Sequence, residues 1–331
     1  MRVPFFLGCL TFFGLSALSL PVFGQTERPR FEELARQFDY DRAAPLDVRE
    51  AGRQERDGVT VVDLSYASPR GGRVPAYLVV PKGHGPFAGV LFGHWMLPGS
   101  PLKNRGEFLE EAVVLARSGA VSLLIDATLI RPGYQQDEKD KVRAAEQRSE
   151  ATRQQIIDFQ RGVDLLLSRR DVDPRRLAYV GHSFDAHVGA ILAAVEKRIG
   201  SFVLMAGSYS DEEQVFDPNN QQMLAVRRSL GDEKIRAYAR EYAWDDPAHF
   251  VGHIAPSAVF LQFGRHDEPI SEKWARHNYE LFSEPKRIAF YDAGHALNAQ
   301  ARLERDRWLA ERLRLRSLDE AALARIPDLK C

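Results

Sequence analysis

The chain is nearly devoid of cysteine. Among 331 residues only Cys9 and Cys331 are cysteines, so no disulfide framework can hold the fold together. No cysteine and histidine cluster has the spacing of a zinc site. Charge of one sign is also missing. Forty-five Lys and Arg face 46 Asp and Glu, for a formal net charge of -1. That balance lacks the basic surplus of a dedicated nucleic-acid binder. The charges interleave as they do on an ordinary solvated surface. No internal repeat is present, which removes solenoids and propellers from consideration.

One apolar stretch stands out, Val3 to Phe23, preceded by Arg2 and ending in small residues. A short positive flank, an apolar centre and small residues at positions such as Val22 and Gly24 read as a secretory signal peptide over 1–24, with a mature start near Gln25. The competing reading is an uncleaved membrane anchor, because the stretch is nearly of spanning length. Cleavage would remove Cys9 and leave Cys331 as a lone thiol on a C-terminal tail, 316–331. Cleavage also predicts an exported protein, periplasmic or secreted, without stable membrane association.

Residues 25–58 are charged, with one amphipathic patch at Phe31–Phe38, and read as a leader that packs on the main body. From 59 to 315 the pattern alternates. Strands are predicted at Val59–Tyr66, Arg73–Val80, Phe87–Phe92, Ala120–Ile125, Leu177–Val180, Ser201–Met205, Ser257–Phe263 and Ile288–Tyr291. Between them lie helical patterns at Glu107–Arg117, Thr152–Leu167 and Ala186–Val195. Strand alternating with helix is the signature of an α/β fold with a doubly wound, mostly parallel sheet. Two stretches read as insertions: the polar segment 131–153 and the segment 209–248, which mixes charge with aromatics. The second reads either as a helical cap over a site or as a solvated excursion whose aromatics pack on the body.

The chemistry is concentrated at three places. Gly181-His182-Ser183-Phe184-Asp185 joins an apolar strand to a helix of small residues. A serine pinched there is lifted clear of the backbone near a helix N-terminus, where a developing negative charge is favoured. Asp267 follows the strand ending Gln262-Phe263-Gly264, and His295 follows the strand ending Phe290-Tyr291, with Gly294 just before it. Ser, Asp and His in this order, each past the C-terminal end of a strand, form a candidate catalytic triad. Glu268 is the neighbouring rival for the acid.

On these pieces, together with Asp173–Ser183 and Phe263–Glu268, the region from about Val59 to Arg314 resembles the α/β-hydrolase superfamily, and within it the dienelactone-hydrolase-like and prolyl-oligopeptidase-like serine esterases. The resemblance implies a serine hydrolase without metal or organic cofactor, acting on a small-molecule carboxylic ester or lactone. Peptidase or thioesterase action would use the same triad. It also implies an oxyanion hole made of the backbone N–H after the nucleophile, Phe184, and a second N–H from the loop after Phe92. Placing Gly93-His94-Trp95 on the family's His-Gly-x turn makes Trp95 the expected donor and His94 the second choice. His94, His182 and Trp244 are candidate substrate contacts; His182 also reads as a residue that orients the elbow, and His187 as a packing residue.

One departure matters. The elbow pattern usually closes with glycine, and here Asp185 stands in its place. A carboxylate beside the serine supports a reading of another class, a non-catalytic binding protein on the same fold. If Asp185 points away from Ser183 or is hydrogen-bonded, catalysis is expected to survive.

Overall fold

The computed structural model describes residues 30–137 and 139–329. The signal-peptide segment, the expected start at Gln25 and both cysteines lie outside the described residues. Among those described, no helix is long and apolar enough to cross a membrane.

Nine strands form one sheet among the described residues. They are β1 (Arg49–Arg56), β2 (Val59–Ala67), β3 (Arg73–Val80), β4 (Phe87–Gly93), β5 (Ala120–Ile125), β6 (Val172–His182), β7 (Ser201–Met205), β8 (Ala258–Gly264) and β9 (Lys286–Tyr291). Their order across the sheet is β1-β2-β3-β5-β4-β6-β7-β8-β9. The first three run antiparallel, and β3 meets β5 antiparallel. From β5 to β9 every pairing is parallel. The strands β4, β5, β7 and β8 are buried along their whole length. They therefore read as continuous apolar runs, as strands covered on both faces do.

Within the segment expected to be only a leader, residues 49–56 form β1. Seven of its eight residues, REAGRQER, are exposed. Charge along an exposed edge strand discourages pairing with another chain, and it hides the strand from any test of alternating hydrophobicity. Ahead of it, Leu34 and Phe38 are buried, and Phe38 meets Trp244 and Phe250 edge-on at 6.3 and 5.8 Å.

Helices cover both faces: α1 (Phe31–Ala35), α2 (Leu109–Arg117), α3 (Lys141–Ser168), α4 (Phe184–Val195), α5 (Asp211–Phe216), α6 (Gln221–Leu230), α7 (Asp232–Glu241), α8 (Glu272–Leu281), α9 (Ala299–Leu313) and α10 (Glu320–Arg325). The polar stretch 131–153, expected as an insertion, is largely the front of α3. Asp140 caps it by accepting from the N–H groups of Val142 and Arg143. Its first turns are solvated and its last turns are core, so the apolar pattern begins only near Thr152. The C-terminal segment holds α10, and Arg302 donates to the carbonyls of Leu323, Ile326 and Pro327 to fix it.

Candidate active site

The parallel topology sends the C-terminal ends of β4, β6, β8 and β9 to one edge of the sheet, and each end carries a piece of the site. Strand β6 ends at His182 and α4 begins at Phe184, so Ser183 makes the whole turn. Its φ of 53° and ψ of −106° lie in a region that a residue with a side chain rarely occupies. Such strain is held only where the surroundings fix it. Ser183 donates its N–H to the Met205 carbonyl, which supplies part of that hold. Gly181 supplies more: a Cβ there would sit 2.2 Å from the Asp185 carbonyl oxygen, so the turn closes only over glycine.

The three side chains expected together are in contact. Ser183 Oγ lies 2.8 Å from His295 Nε2, and His295 Nδ1 lies 2.9 Å from Asp267 Oδ2. The other Asp267 oxygen accepts the Ile270 N–H at 3.0 Å. That bond holds a fully buried carboxylate in the orientation that faces the imidazole. Glu268 takes no part in this row. The row is competent to move a proton from a hydroxyl to an imidazole while a carboxylate holds the tautomer.

Asp185 is wholly buried, with its oxygens 3.3 and 3.5 Å from Gln155 Nε2. Burial holds its carboxyl well above the ordinary carboxylate range, against the opposing pull of Gln155, Arg131 and the nearby His94 amide. Its side chain lies against Gly93, where an added Cβ would come within 2.5 Å of the Asp185 Cβ. The glycine missing from the elbow has in effect moved to the facing strand, and the close approach is kept. Gln155 is held in turn by the Thr128 N–H at 2.8 Å and by Arg131, which also pairs with buried Asp158.

The loop after β4 departs from expectation. The Trp95 N–H, expected in the oxyanion hole, donates to Glu107 Oε2 at 2.7 Å. The second choice, the His94 N–H, lies toward the buried Asp185 carboxyl. The next amide, Met96, has no hydrogen-bond partner among the described residues, nor has Phe184 at the head of α4. Met96, which lines the cavity at Ser183, is therefore the amide of this loop left open toward it, one residue later than the Trp95 expected from the sequence.

The three candidate substrate contacts are corrected as well. His94 is buried; its Nδ1–H donates to the Trp95 carbonyl and its Nε2 accepts the Ala127 N–H, each at 2.8 Å. Both nitrogens clamp the loop, and burial lowers the imidazole's basicity. His182 is equally buried, between Glu107 and the His295 carbonyl. Trp244 packs inward against Phe38 beneath Arg153.

The cavity at Ser183 has a volume of 530 Å³. Met96, Leu97, Pro98 and Ile270 form its apolar side, and the 209–248 segment forms much of the opposite wall through Val215, Ile235, Tyr238 and Tyr242. His187, expected only to pack, also lines it, one helical turn beyond Ser183. Burial opposes its charge, but Asp211 and Asp245, each 3.8 Å away, with Asp246 nearby, outweigh burial and push it up to about 9. Asp211, its side chain still 45% exposed, is pushed up to about 7 by partial burial and by Asp246 and Asp245, against the pull of His187. Neither carboxylate showed in the sequence, because both arrive from an insertion without a motif.

No family model matches the chain, and no curated protein matches it. Solved structures do. An acetyl xylan esterase from a Thermoanaerobacterium species superposes with a TM-score of 0.69 at 19% identity, covering 85% of this chain and 93% of that one. An acetyl xylan esterase from a Paenibacillus species gives 0.67 at 17% identity, covering 86% and 92%. An alpha/beta hydrolase from a Penicillium species gives 0.55 at 16% identity, covering 76% and 98%. With the sheet order, the serine turn after β6 and the acid and histidine after β8 and β9, the chain has the α/β-hydrolase fold.

Proposed function

We propose that the protein is a serine hydrolase that cleaves carboxylic esters of small molecules, lactones among them, through an acyl-enzyme. The observation that carries this reading is the continuous hydrogen-bonded row Ser183–His295–Asp267 opening into a cavity. A serine hydroxyl needs a base as it attacks. His295 Nε2 takes the Oγ proton while Oγ bonds to the ester carbonyl carbon. Asp267 accepts the Nδ1–H and steadies the imidazolium that results. The N–H groups of Phe184 and Met96 meet the oxyanion. The alcohol leaves with the proton from His295, and water then repeats the sequence on the acyl-serine.

A volume of 530 Å³ suits a small-molecule substrate. The two acetyl xylan esterases among the similar structures favour an ester over a peptide or thioester. The binding-protein alternative rested on Asp185. Its buried carboxyl is hydrogen-bonded to Gln155 and its side chain packs against Gly93, so it acts as a strut between the elbow and the end of β4.

Turnover of an activated ester by Ser183→Ala and His295→Ala tests the reading. Each variant should lose on the order of a million-fold in kcat while keeping the wild-type circular dichroism. Asp267→Asn should lose about ten-thousand-fold. Wild-type turnover by folded Ser183→Ala would sink the assignment. We further propose export through the N-terminal segment. Intact mass of protein from a secreting host should give a chain beginning near Gln25 with one titratable thiol, Cys331. A mature chain that keeps Phe5 to Phe23 would mean an anchor instead.

A further inference from the structure

Glu107 is a buried carboxylate that ester hydrolysis does not consume. Its side chain is 1% exposed, and both oxygens are engaged. Oε2 accepts the Trp95 N–H at 2.7 Å, and Oε1 lies 2.5 Å from His182 Nδ1. The far nitrogen of that ring, His182 Nε2, lies 2.8 Å from the His295 carbonyl oxygen. A carbonyl can only accept, so His182 Nε2 carries a proton. Two bare acceptors would repel at the Nδ1–Oε1 separation, so a second proton lies between them. The Trp95 indole completes the assembly, stacked on His182 at 5.0 Å and on His295 at 6.5 Å.

One side chain thus ties together two loops far apart in sequence. The loop after β4 carries the amide of Met96, and the loop after β9 carries His295. Between them passes His182, the residue before the nucleophile. Holding the Trp95 peptide by its N–H fixes the orientation of the next amide. Holding the His295 carbonyl fixes the backbone from which the imidazole reaches Ser183. We propose that Glu107 is a positioning residue of the hydrolytic reaction, setting the oxyanion loop and the base histidine against each other through Trp95 and His182. This rests on the serine-hydrolase reading above. Positions of this kind are sensitive, since a misplacement of about 1 Å can cost on the order of 100-fold in rate.

The hydrogen-bond pattern dictates a discriminating pair of variants. In Glu107→Gln the amide oxygen can accept the Trp95 N–H and the amide N–H can donate to His182 Nδ1, so every bond survives. In Glu107→Ala both links are cut. The measurement is kcat and KM on an activated ester together with the unfolding midpoint, after the wild type has been shown to react with a fluorophosphonate. Folded Glu107→Ala should lose about 100-fold in kcat with KM little changed, and Glu107→Gln should recover to within about tenfold of wild type. Wild-type kcat in folded Glu107→Ala, or Glu107→Gln as impaired as Glu107→Ala, would overturn the proposal. If Glu107→Ala fails to fold, His182→Asn decides, because its amide can still partner Glu107 while the link to His295 is gone. A fall in kcat at unchanged KM supports the clamp, and wild-type kcat overturns it. A wild type inert to the fluorophosphonate would instead defeat the hydrolase reading, and this proposal with it.

Discussion

At the scale of single residues the site is crowded with ionisable groups, and most of them do not touch the reacting bond. The side chains of Asp185, Glu107, His94 and His182 are buried and spend their polar atoms on one another's loops. His187 is different, because it faces the cavity between Asp211 and Asp245. Its folded value of about 9 lies above the ordinary imidazole value of 6.5. A group raised on folding adds stability that is full below the unfolded pKa and fades as pH rises through the folded one. The stability difference between wild type and His187→Gln should therefore shrink as pH rises from about 7, where Asp211 is charged, through about 9. Thermal unfolding across that window checks it. A difference that grows with pH would show that the carboxylates do not hold the imidazole charged.

At the scale of elements the insertion between β7 and β8 sets the shape of the cavity. Helices α5 to α7 have few buried residues of their own, yet Val215 and Ile235 line the space opposite the serine. Ile235→Ala should therefore widen the acyl or alcohol pocket without touching the triad. Each methylene in an apolar pocket is worth about 10- to 200-fold in selectivity. Across esters of increasing chain length, the kcat/KM ratio of longer to shorter chains should rise by about tenfold or more. An unchanged profile would place the substrate on another wall. The elements also show what could be read from sequence. β4, β5 and β7 were legible because both faces are covered, which gives unbroken apolar runs. β1 was not, since an exposed charged edge has no periodicity to detect. The start of α3 was missed because its first turns are solvated and only its later turns carry a buried stripe.

At the scale of the whole molecule, a parallel sheet delivers residues 183, 267 and 295 to one edge, though more than a hundred positions separate the first from the last. The order of motifs along the chain made those three residues legible. The second oxyanion donor proposed above, Met96, was not, because a one-residue choice of register on Gly93-His94-Trp95-Met96 depends on which N–H groups are already engaged. Glu107 was invisible for a related reason: at the head of an amphipathic stretch it looks like an ordinary solvated helix residue, and only the fold turns it inward. Activation of Ser183 as a nucleophile is tested most directly by incubating the full chain with a fluorophosphonate and mapping the adduct by peptide mass spectrometry. One phosphonyl group is expected, on Ser183, and none in Ser183→Ala. A folded protein that stays unlabelled, or one labelled elsewhere, would contradict it.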